Sequence, residues 1–303
     1  MKKILITGAD GFTGRYLANE LHRAGYEVHG LVHKPVAGGV PGVARLHVGD
    51  LSEMAGLAAV MQEVQPCKVA HLAAIAFVAH GDVDAIYRTN VVGTRNLLEA
   101  LVQSKAPVET VLLVSSANVY GNSVGGVLDE STPAAPANDY AVSKLAMEYV
   151  ARLYAERLPI VVARPFNYTG VGQAESFLIP KIVSHVRRHA PLIELGNLEV
   201  ARDFSDVRTV VQCYRRLLEA DAGAAVGQTF NVCSGHAWSL NEVLGMVREI
   251  SGHPFEVRVN PAFVRQNEVK LLVGSCAKLE GAIGAVPQIA LRDTLRWMLE
   301  AST

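Results

Sequence analysis

Short apolar segments alternate with segments of helical periodicity through the first half of the chain. In the helical segments, apolar residues recur at helical spacing in a stretch that ends at Gly25, in a second from Val83 to Leu101 and in a third from Tyr140 to Leu158. Strands that alternate with helices form parallel sheets with right-handed crossovers, so the pattern predicts an α/β fold with a doubly wound parallel sheet. The predicted strands are Lys3–Ile6, Glu27–Val32, Ala44–Val48, Lys68–Leu72, Thr110–Ser115 and Ile160–Arg164.

The alternation becomes less regular after Pro165. Glycine, proline and polar residues are frequent from 167 to 206, and the tail from about Pro254 lacks a clear period before a helix at Leu291–Glu300. We therefore expect a larger sheet domain formed by residues 1–166 together with about 205–230. We expect a smaller C-terminal α/β lobe formed by residues 167–204 and 231–303.

Composition narrows the class of protein. The chain has 303 residues, half of them hydrophobic, and a formal net charge of −1, so the totals give no sign of the basic face that non-specific nucleic-acid binding needs. It contains no uninterrupted apolar stretch long enough for a bilayer. Four cysteines lie far apart without paired spacing, which favours reduced thiols in the cytoplasm over a disulfide framework or a metal site.

A glycine turn follows the first predicted strand. Gly8 permits a tight turn, Gly11 lets the backbone approach a pyrophosphate, and Gly14 lets the next helix pack close to the strand. The N–H groups at the start of that helix would then face the phosphates. The turn therefore predicts a dinucleotide site, with a purely structural turn as the alternative.

The end of the second strand bears on the choice of cofactor. An acidic residue there would bind a ribose 2′-hydroxyl and repel a 2′-phosphate. The strand instead ends at His33 and Lys34, and Arg15 follows the last glycine, which favours NADP(H), with NAD(H) as the alternative. Solvated surface charges are the competing interpretation of these residues. Asp50, after the third strand, is placed either to reach the adenine or to cap a turn.

A tyrosine and a lysine share one face of a predicted helix. Tyr140 and Lys144 are four residues apart, and a lysine ammonium beside a phenol brings its pKa of about 10 closer to working pH. Their helix follows the strand that ends at Ser115 and Ser116. The two elements would therefore bring a serine hydroxyl and the phenol together at the carboxyl edge of the sheet.

In this order the motifs resemble the extended short-chain dehydrogenase/reductase family of the NAD-dependent epimerase/dehydratase type. They are the glycine turn, His71-Leu72-Ala73-Ala74, Asn90, the serine strand and the Tyr140/Lys144 pair, and the resemblance covers nearly the whole chain. It implies a Rossmann-type fold and a homodimer formed through the helices near Val83–Leu101 and Tyr140–Leu158.

The resemblance also assigns roles to individual residues. It implies that Ser116 hydrogen-bonds the substrate oxygen, that Tyr140 exchanges the proton, and that Lys144 holds the nicotinamide ribose and depresses the tyrosine pKa. The cofactor-binding residues that it implies are Gly8, Gly11, Phe12, Thr13, Gly14, Arg15, His33, Lys34, Asp50, Leu51, Leu72, Ala73, Ala74, Asn90, Ser115, Tyr140, Lys144 and Pro165.

The second half is similar to the branch of the family that acts on nucleotide sugars. Arg164-Pro165-Phe166-Asn167 resembles the start of that branch's substrate loop, and Arg202 resembles the arginine that grips the diphosphate through its planar fork of donors. The substrate-binding residues that the resemblance implies are Ser116, Asn118, Asn167, Gln173, Arg202, Arg265 and Glu268.

Three reactions on nucleotide sugars share this scaffold: 4,6-dehydration, 4-epimerisation and 4-keto reduction. Dehydration needs an acid and a base besides the tyrosine. The dehydratases that this chain resembles carry a glutamate in the serine loop, commonly after an aspartate, whereas this chain has Ala117 and Asn118 there, so the resemblance argues against dehydration. The resemblance is strongest to reductases that convert GDP-4-keto-6-deoxy-D-mannose to GDP-D-rhamnose, which implies a GDP-linked keto sugar as substrate. A 4-epimerase is the alternative, and a non-catalytic cofactor sensor is disfavoured because the serine, tyrosine and lysine are all present.

Overall fold

The computed structural model of the protein describes residues 1–76, 82–121, 126–263 and 271–301. Its strands, numbered along the described residues, are β1 (Lys3–Thr7), β2 (Glu27–Val32), β3 (Arg45–Val48), β4 (Lys68–His71), β5 (Thr110–Val114), β6 (Ile160–Pro165), β7 (Asn167–Thr169), β8 (Leu192–Leu195), β9 (Ala201–Asp206), β10 (Thr229–Val232), β11 (Ala237–Ser239), β12 (Glu256–Val259) and β13 (Leu271–Leu272).

Seven parallel strands form the main sheet in the order β10-β6-β5-β4-β1-β2-β3. The six predicted strands are confirmed, each to within one residue at either end. The seventh, β10, pairs with β6, so the predicted domain boundary near residue 230 falls inside a strand. Strand order reverses between β1 and β4, and ligands of doubly wound sheets bind at the carboxyl edge beside such a switch point.

The helices run from α1 to α11 in chain order. They are α1 (Phe12–Arg23), α2 (Met54–Val64), α3 (Val83–Tyr87), α4 (Thr94–Ser104), α5 (Asp139–Arg152), α6 (Leu178–Arg187), α7 (Val207–Glu219), α8 (Ala222–Ala225), α9 (Leu240–Ser251), α10 (Ala277–Ile283) and α11 (Leu291–Glu300). None of the helices in the described ranges is both long enough and apolar enough to cross a membrane.

Two of the predicted helices differ in detail from the structure. The stretch that was expected to be one helix from Val83 to Leu101 consists of α3, a π-helical segment at Arg88–Gly93, and α4. The helix predicted to reach Leu158 ends at Arg152, and turns follow it. The outer face of α5 carries Tyr149 and Leu153 in exposed positions, and the homodimer expected through this face stays a prediction.

Helices cover both faces of the main sheet. Successive residues of β1 enter different cores: Ile4 and Ile6 pack with α1 and α7, whereas Leu5 packs with α2, α4 and α5. Strands that are buried on both faces are apolar at nearly every position, and this explains why the sequence shows them as continuous apolar runs.

The smaller lobe has more regular structure than its sequence predicts. Strand β9 lies between β11 and β13 and also pairs with β7, while β8 pairs with β12. Helices α6, α9 and α11 enclose a separate core. The less regular pattern from 167 to 206 and after Pro254 therefore belongs to short strands and helices, as an α/β lobe requires. Helix α10, placed in the lobe by sequence, packs its Leu279 against the core of the main sheet.

The third glycine of the turn sets how closely α1 approaches β1. A Cβ on Gly14 would lie 2.2 Å from the Gly8 carbonyl oxygen and 2.8 Å from the Ala9 Cα, both of them backbone atoms. Neither atom belongs to a flexible side chain, so a methyl group would push the helix away from the strand.

We expect Gly14→Ala to lower the free energy of unfolding by about 1–3 kcal/mol, because overpacking against backbone forces a shift of the helix. The matched control is Gly56→Ala in α2, where a Cβ meets nothing within 4 Å and should stabilise by about 0.5–1 kcal/mol. Urea unfolding of the two variants measures both effects. Equal stability of the two would contradict the packing argument.

Candidate active site

The glycine turn forms a cradle at the carboxyl edge of β1. Gly8 has a φ of +69°, and a Cβ there would lie 3.0 Å from the backbone of Ala73, which follows β4. Helix α1 begins after Gly11 with no side-chain cap and no acidic residue in its first turn. Its first N–H groups are therefore not used by side chains of the protein, and they suit the pyrophosphate of a dinucleotide.

Tyr168 joins this turn to the smaller lobe. Its hydroxyl lies 2.8 Å from the Thr13 Oγ1, and its ring stacks on Phe12 with centroids 6.2 Å apart. Tyr168 also contributes to raising the pKa of the predicted catalytic tyrosine, Tyr140. Tyr168 could not be selected from sequence, since β7 is only three residues long and shows no period.

The predicted cofactor corner beside β2 carries exposed basic side chains. Arg15, His33 and Lys34 are all exposed, and the Arg15 Nε donates to the Asp10 carbonyl at 2.8 Å. The Asp50 carboxylate accepts from the Ser52 N–H at 2.8 Å, a bond that lowers the pKa of Asp50. Asp50 therefore caps its own turn, and its expected role toward the adenine stays a prediction.

A buried histidine fixes the segment that follows β4. The Thr94 hydroxyl donates its one proton to the Asn90 carbonyl at 2.8 Å. In its contact with the His71 Nε2, 2.8 Å away, Thr94 is therefore the acceptor and the imidazole is the donor. The His71 Nδ1 is then the acceptor for the Thr7 hydroxyl at 2.7 Å, and the Thr7 oxygen accepts from the Ala73 N–H at 3.2 Å. Burial, helped by the Lys144 charge, lowers the pKa of His71 to about 3. The imidazole is thus neutral, with its proton on Nε2.

Asn90 connects the same segment to helix α5. Its side chain accepts from the Ile75 N–H at 2.9 Å and donates to the Ile75 carbonyl at 3.1 Å. It also donates to the Ser143 hydroxyl at 3.0 Å, which in turn donates to the Tyr140 carbonyl at 2.8 Å. The π-helical segment carries Asn90, and π segments occur often at functional sites. Asn90 therefore aligns the loop beside the glycine turn with the tyrosine helix.

The structure brings Ser116 and Tyr140 together, as the sequence predicts. Ser116 follows β5 and is nearly buried, and its oxygen accepts from the Asn118 N–H at 3.1 Å. Tyr140 lies in the first turn of α5, which Asn138 caps by accepting from the Ala141 N–H at 2.9 Å. Burial raises the pKa of Tyr140 above its ordinary value, while a hydrogen bond to Ser116 lowers it in part. The phenol is therefore a proton donor at neutral pH.

Lys144 is deeply buried beneath the carboxyl end of β5. Its Nζ donates to the Val114 carbonyl at 2.7 Å. Burial lowers the pKa of Lys144 to about 8, and the charge of Glu148 works in the opposite direction. Lys144 is not among the groups that shift the pKa of Tyr140. Its expected lowering of the tyrosine pKa and its expected bond to a ribose stay predictions for the dinucleotide-bound protein.

The sequence analysis did not predict a buried ion pair behind Lys144. Glu148 accepts from the Arg164 Nε at 2.9 Å and from its Nη2 at 2.6 Å, and the Ser115 hydroxyl donates to it at 2.5 Å. The available signal was spacing, because Tyr140, Lys144 and Glu148 are four residues apart and share one face of α5. Ser115, predicted to bind cofactor, is instead engaged with this carboxylate.

The predicted substrate residues are less closely grouped. The Gln173 amide closes its own loop, since it accepts from the Thr169 hydroxyl at 2.8 Å and donates to the Tyr168 carbonyl at 3.1 Å. Asn118 is exposed, and the Asn167 amide is 3.4 Å from the Asp203 carbonyl. Arg265 and Glu268 lie outside the described residues.

Arg202 is placed by its neighbour in β9. Asp203 is fully buried and accepts from the Ser234 N–H at 2.8 Å, the Ser234 hydroxyl at 2.7 Å and the Gly235 N–H at 2.9 Å. These bonds hold β9 against the loop that follows β10. The half-buried Arg202 therefore extends from a strand whose position is fixed, which suits its expected binding to a diphosphate.

The neutral state of His71 makes stability depend on pH. Its pKa in the folded protein lies below the ordinary value of 6.5, so the unfolded chain binds the extra proton and stability falls as pH drops below about 6.5. We expect the free energy of unfolding to fall more steeply between pH 6 and pH 4.5 in the wild type than in His71→Gln. The difference in slope should approach about 1.4 kcal/mol per pH unit. Denaturant unfolding across this range measures it, and parallel curves would contradict a neutral His71.

Comparison with known proteins agrees with this geometry. The family model described as GDP-mannose 4,6 dehydratase matches residues 5–298. GDP-6-deoxy-D-mannose reductase of Pseudomonas aeruginosa is 34% identical, with 98% of this chain and 96% of that protein covered. GDP-6-deoxy-D-talose 4-dehydrogenase of Aggregatibacter actinomycetemcomitans is 33% identical, with 93% of this chain and 91% of that protein covered.

Solved structures show the same fold over almost the whole chain. A protein from Burkholderia cenocepacia J2315 with a provisional description as an epimerase is 51% identical, with a TM-score of 0.92 and coverage of 99% of this chain and 97% of that one. The structure of RMD from Pseudomonas aeruginosa complexed with NADPH is 32% identical, with a TM-score of 0.85 and coverage of 99% and 98%. The predicted fold and the prediction of a nicotinamide-dependent oxidoreductase are confirmed. The chain belongs to the GDP-mannose 4,6-dehydratase family within the extended short-chain dehydrogenases/reductases.

Proposed function

We propose that the protein is a reductase of a GDP-linked 4-keto-6-deoxy sugar and converts GDP-4-keto-6-deoxy-D-mannose to GDP-D-rhamnose. The observation that carries the proposal is the pairing of Ser116 with a protonated, half-buried Tyr140 beside the glycine cradle. The names of the two curated relatives, a reductase and a 4-dehydrogenase of GDP-6-deoxy sugars, support the substrate class.

Each catalytic side chain has a defined part in such a reduction. A bound nicotinamide would supply the hydride for C4 of the sugar. Tyr140 donates its proton to the C4 oxygen, and its raised pKa keeps that proton in place until the oxygen becomes basic. The Asn118 N–H holds the Ser116 oxygen beside Tyr140, and the Ser116 proton would turn from its hydrogen bond with Tyr140 to the same substrate oxygen. With dinucleotide and sugar bound, we expect the Lys144 ammonium to stabilise the phenolate that remains.

The serine loop disfavours dehydration, although the matching family model carries a dehydratase name. Elimination of water requires a base to remove a proton beside the ketone and an acid to protonate the leaving hydroxyl. Ala117 is buried and cannot ionise, and Asn118 is an exposed amide. The two positions after the catalytic serine therefore offer no group for those proton transfers.

An epimerase remains a candidate because the structure from Burkholderia cenocepacia described as an epimerase is 51% identical. Epimerisation would use the same serine and tyrosine, first to oxidise C4 and then to reduce it from the other face.

One assay separates the two functions. Purified protein with GDP-4-keto-6-deoxy-D-mannose and NADPH should consume NADPH in equal amount to the sugar if it is a reductase. Isomerisation of a GDP-sugar without net cofactor loss would favour the epimerase, and binding of NADPH without either reaction would favour a sensor.

The proton role predicts the effect of one substitution. We expect Tyr140→Phe to reduce turnover by about 10²–10⁴-fold while NADPH binding stays nearly intact, because only the transferable proton is removed. Stopped assays with the keto sugar measure turnover, and fluorescence titration measures NADPH affinity. Tyr149→Phe, an exposed tyrosine on the same helix, serves as the control and should keep full activity. Unchanged turnover in Tyr140→Phe would rule out this role.

We further propose a preference for NADP(H), supported by the exposed basic residues Arg15, His33 and Lys34 and by the NADPH bound to RMD. Lys34→Asp should then lower the ratio of kcat/KM for NADPH over NADH by about 10–100-fold, since it replaces an attraction to the 2′-phosphate by a repulsion. The matched control is Lys105→Asp, which lies at the other end of the sheet, just before β5. An unchanged ratio in Lys34→Asp would show that this lysine is only a surface charge.

A further inference from the structure

Three charged side chains form a buried row behind the catalytic pair. Lys144, Glu148 and Arg164 are all less than 9% exposed. The row runs from helix α5 to strand β6 and consists of two cations with one carboxylate between them. Its middle member has no place in the proton transfer described above.

From this geometry we infer that Glu148 is a positioning residue that keeps Lys144 in its ammonium form, and that Arg164 limits this effect by binding the same carboxylate. The inference rests on the proposed function only in those tests that measure enzyme activity. It assigns a task in the reaction to a carboxylate that does not reach the substrate.

The hydrogen bonds show why Glu148 acts through its charge. Its Oε1 accepts from the Ser115 hydroxyl and the Arg164 Nε, and its Oε2 accepts from the Arg164 Nη2. Lys144 donates instead to the Val114 carbonyl at 2.7 Å. Lys144 and Glu148 are neighbours because they are one helical turn apart. Both are buried, so the medium between them has low polarity and the attraction between their charges is strong.

Arg164 is also held from its far side, which fixes its position relative to Glu148. Its Nη1 donates to the Tyr120 hydroxyl at 3.0 Å, and that hydroxyl donates to the Asn231 Oδ1 at 2.7 Å. The Asn231 amide donates to the Leu128 carbonyl at 3.1 Å. The guanidinium therefore has little freedom to turn away from the carboxylate, and the carboxylate little freedom to turn toward Lys144.

Among the described residues, three other titratable groups that lie on α5 or on the segments beside it carry no compensating charge. His71 at the end of β4 is neutral, and Tyr140 on α5 is protonated, as is Tyr120 after β5 because burial raises its pKa. Glu148 is thus the negative group that offsets the cost of burying the ammonium. Without Glu148, Lys144 would lose its proton at lower pH. Without the positive charge of Arg164, the Glu148 carboxylate would act more strongly on Lys144, which would then keep its proton to higher pH.

The two substitutions therefore predict opposite shifts in the pH profile. Reduction needs the ammonium, so Glu148→Gln should move the alkaline loss of kcat/KM to lower pH. Arg164→Met should move it to higher pH. For Glu148→Gln, the ratio of kcat/KM at pH 8.5 to that at pH 6.5 should fall about tenfold below the wild-type ratio, the size expected for loss of one nearby opposite charge. A purely structural role would lower activity equally at every pH.

Two further variants separate charge from packing. Arg164→Lys keeps the positive charge but loses the paired hydrogen bonds, so it should lower stability and leave the wild-type pH profile in place. Glu156→Gln, an exposed position just beyond α5, should change neither. If Arg164→Met does not fold, Glu148→Gln and Arg164→Lys still test the inference.

A direct measurement removes the dependence on activity. In full-length protein with ¹³Cε-labelled lysine, the Lys144 signal is identified by its loss in Lys144→Arg, and its titration is followed by NMR. The inference requires this signal to titrate at lower pH in Glu148→Gln than in the wild type and at the wild-type pH in Arg164→Lys. An unmoved titration in Glu148→Gln would overturn it. Absence of NADPH consumption by the wild type would instead overturn the proposed function and leave the NMR result standing.

Discussion

The burial of the Lys144 ammonium is the constraint on which the rest of the site depends. A cation removed from water must be compensated by fixed dipoles or by an opposite charge, or it loses its proton. The Val114 carbonyl supplies the dipole and Glu148 supplies the charge. Glu148 is itself buried and needs Arg164 and Ser115, and Arg164 needs Tyr120. One buried cation thus accounts for a connected set of polar groups that extends across β5 and β6.

The same burial governs the other edge of the site. His71 faces Lys144 and stays neutral, so it can donate to Thr94 and accept from Thr7 without adding a second positive charge. Its two hydrogen bonds tie the end of β1 and the start of α4 to the segment that lies against Gly8. The glycine turn and the helix that carries Tyr140, the proposed proton donor, are therefore held in place by groups whose charge states are matched to one another.

Sequence reasoning predicted the parts of this arrangement that depend on local pattern. Five of the six strands in the first half are buried at nearly every position and stand out as apolar runs, while β3 lies at the sheet edge and is partly exposed. The glycine turn, Ser116, Tyr140 and Lys144 were predicted from their places relative to these elements. The smaller lobe was harder because β7, β11 and β13 have only two or three residues, too few to show a period. The Glu148–Arg164 pair joins residues sixteen positions apart on a helix and a strand, and only the fold shows that they meet.

Burial also decides which of the two catalytic groups limits the reaction at high pH. A free tyrosine and a free lysine titrate close together, near pH 10. Burial moves them in opposite directions, because it raises the pKa of the neutral acid Tyr140 and lowers that of the cationic acid Lys144 to about 8. Lys144 therefore loses its proton first, while Tyr140 still holds the proton that the keto oxygen needs. In the proposed reduction, activity would therefore be lost in alkali through deprotonation of Lys144, while the proposed proton donor Tyr140 still holds its proton.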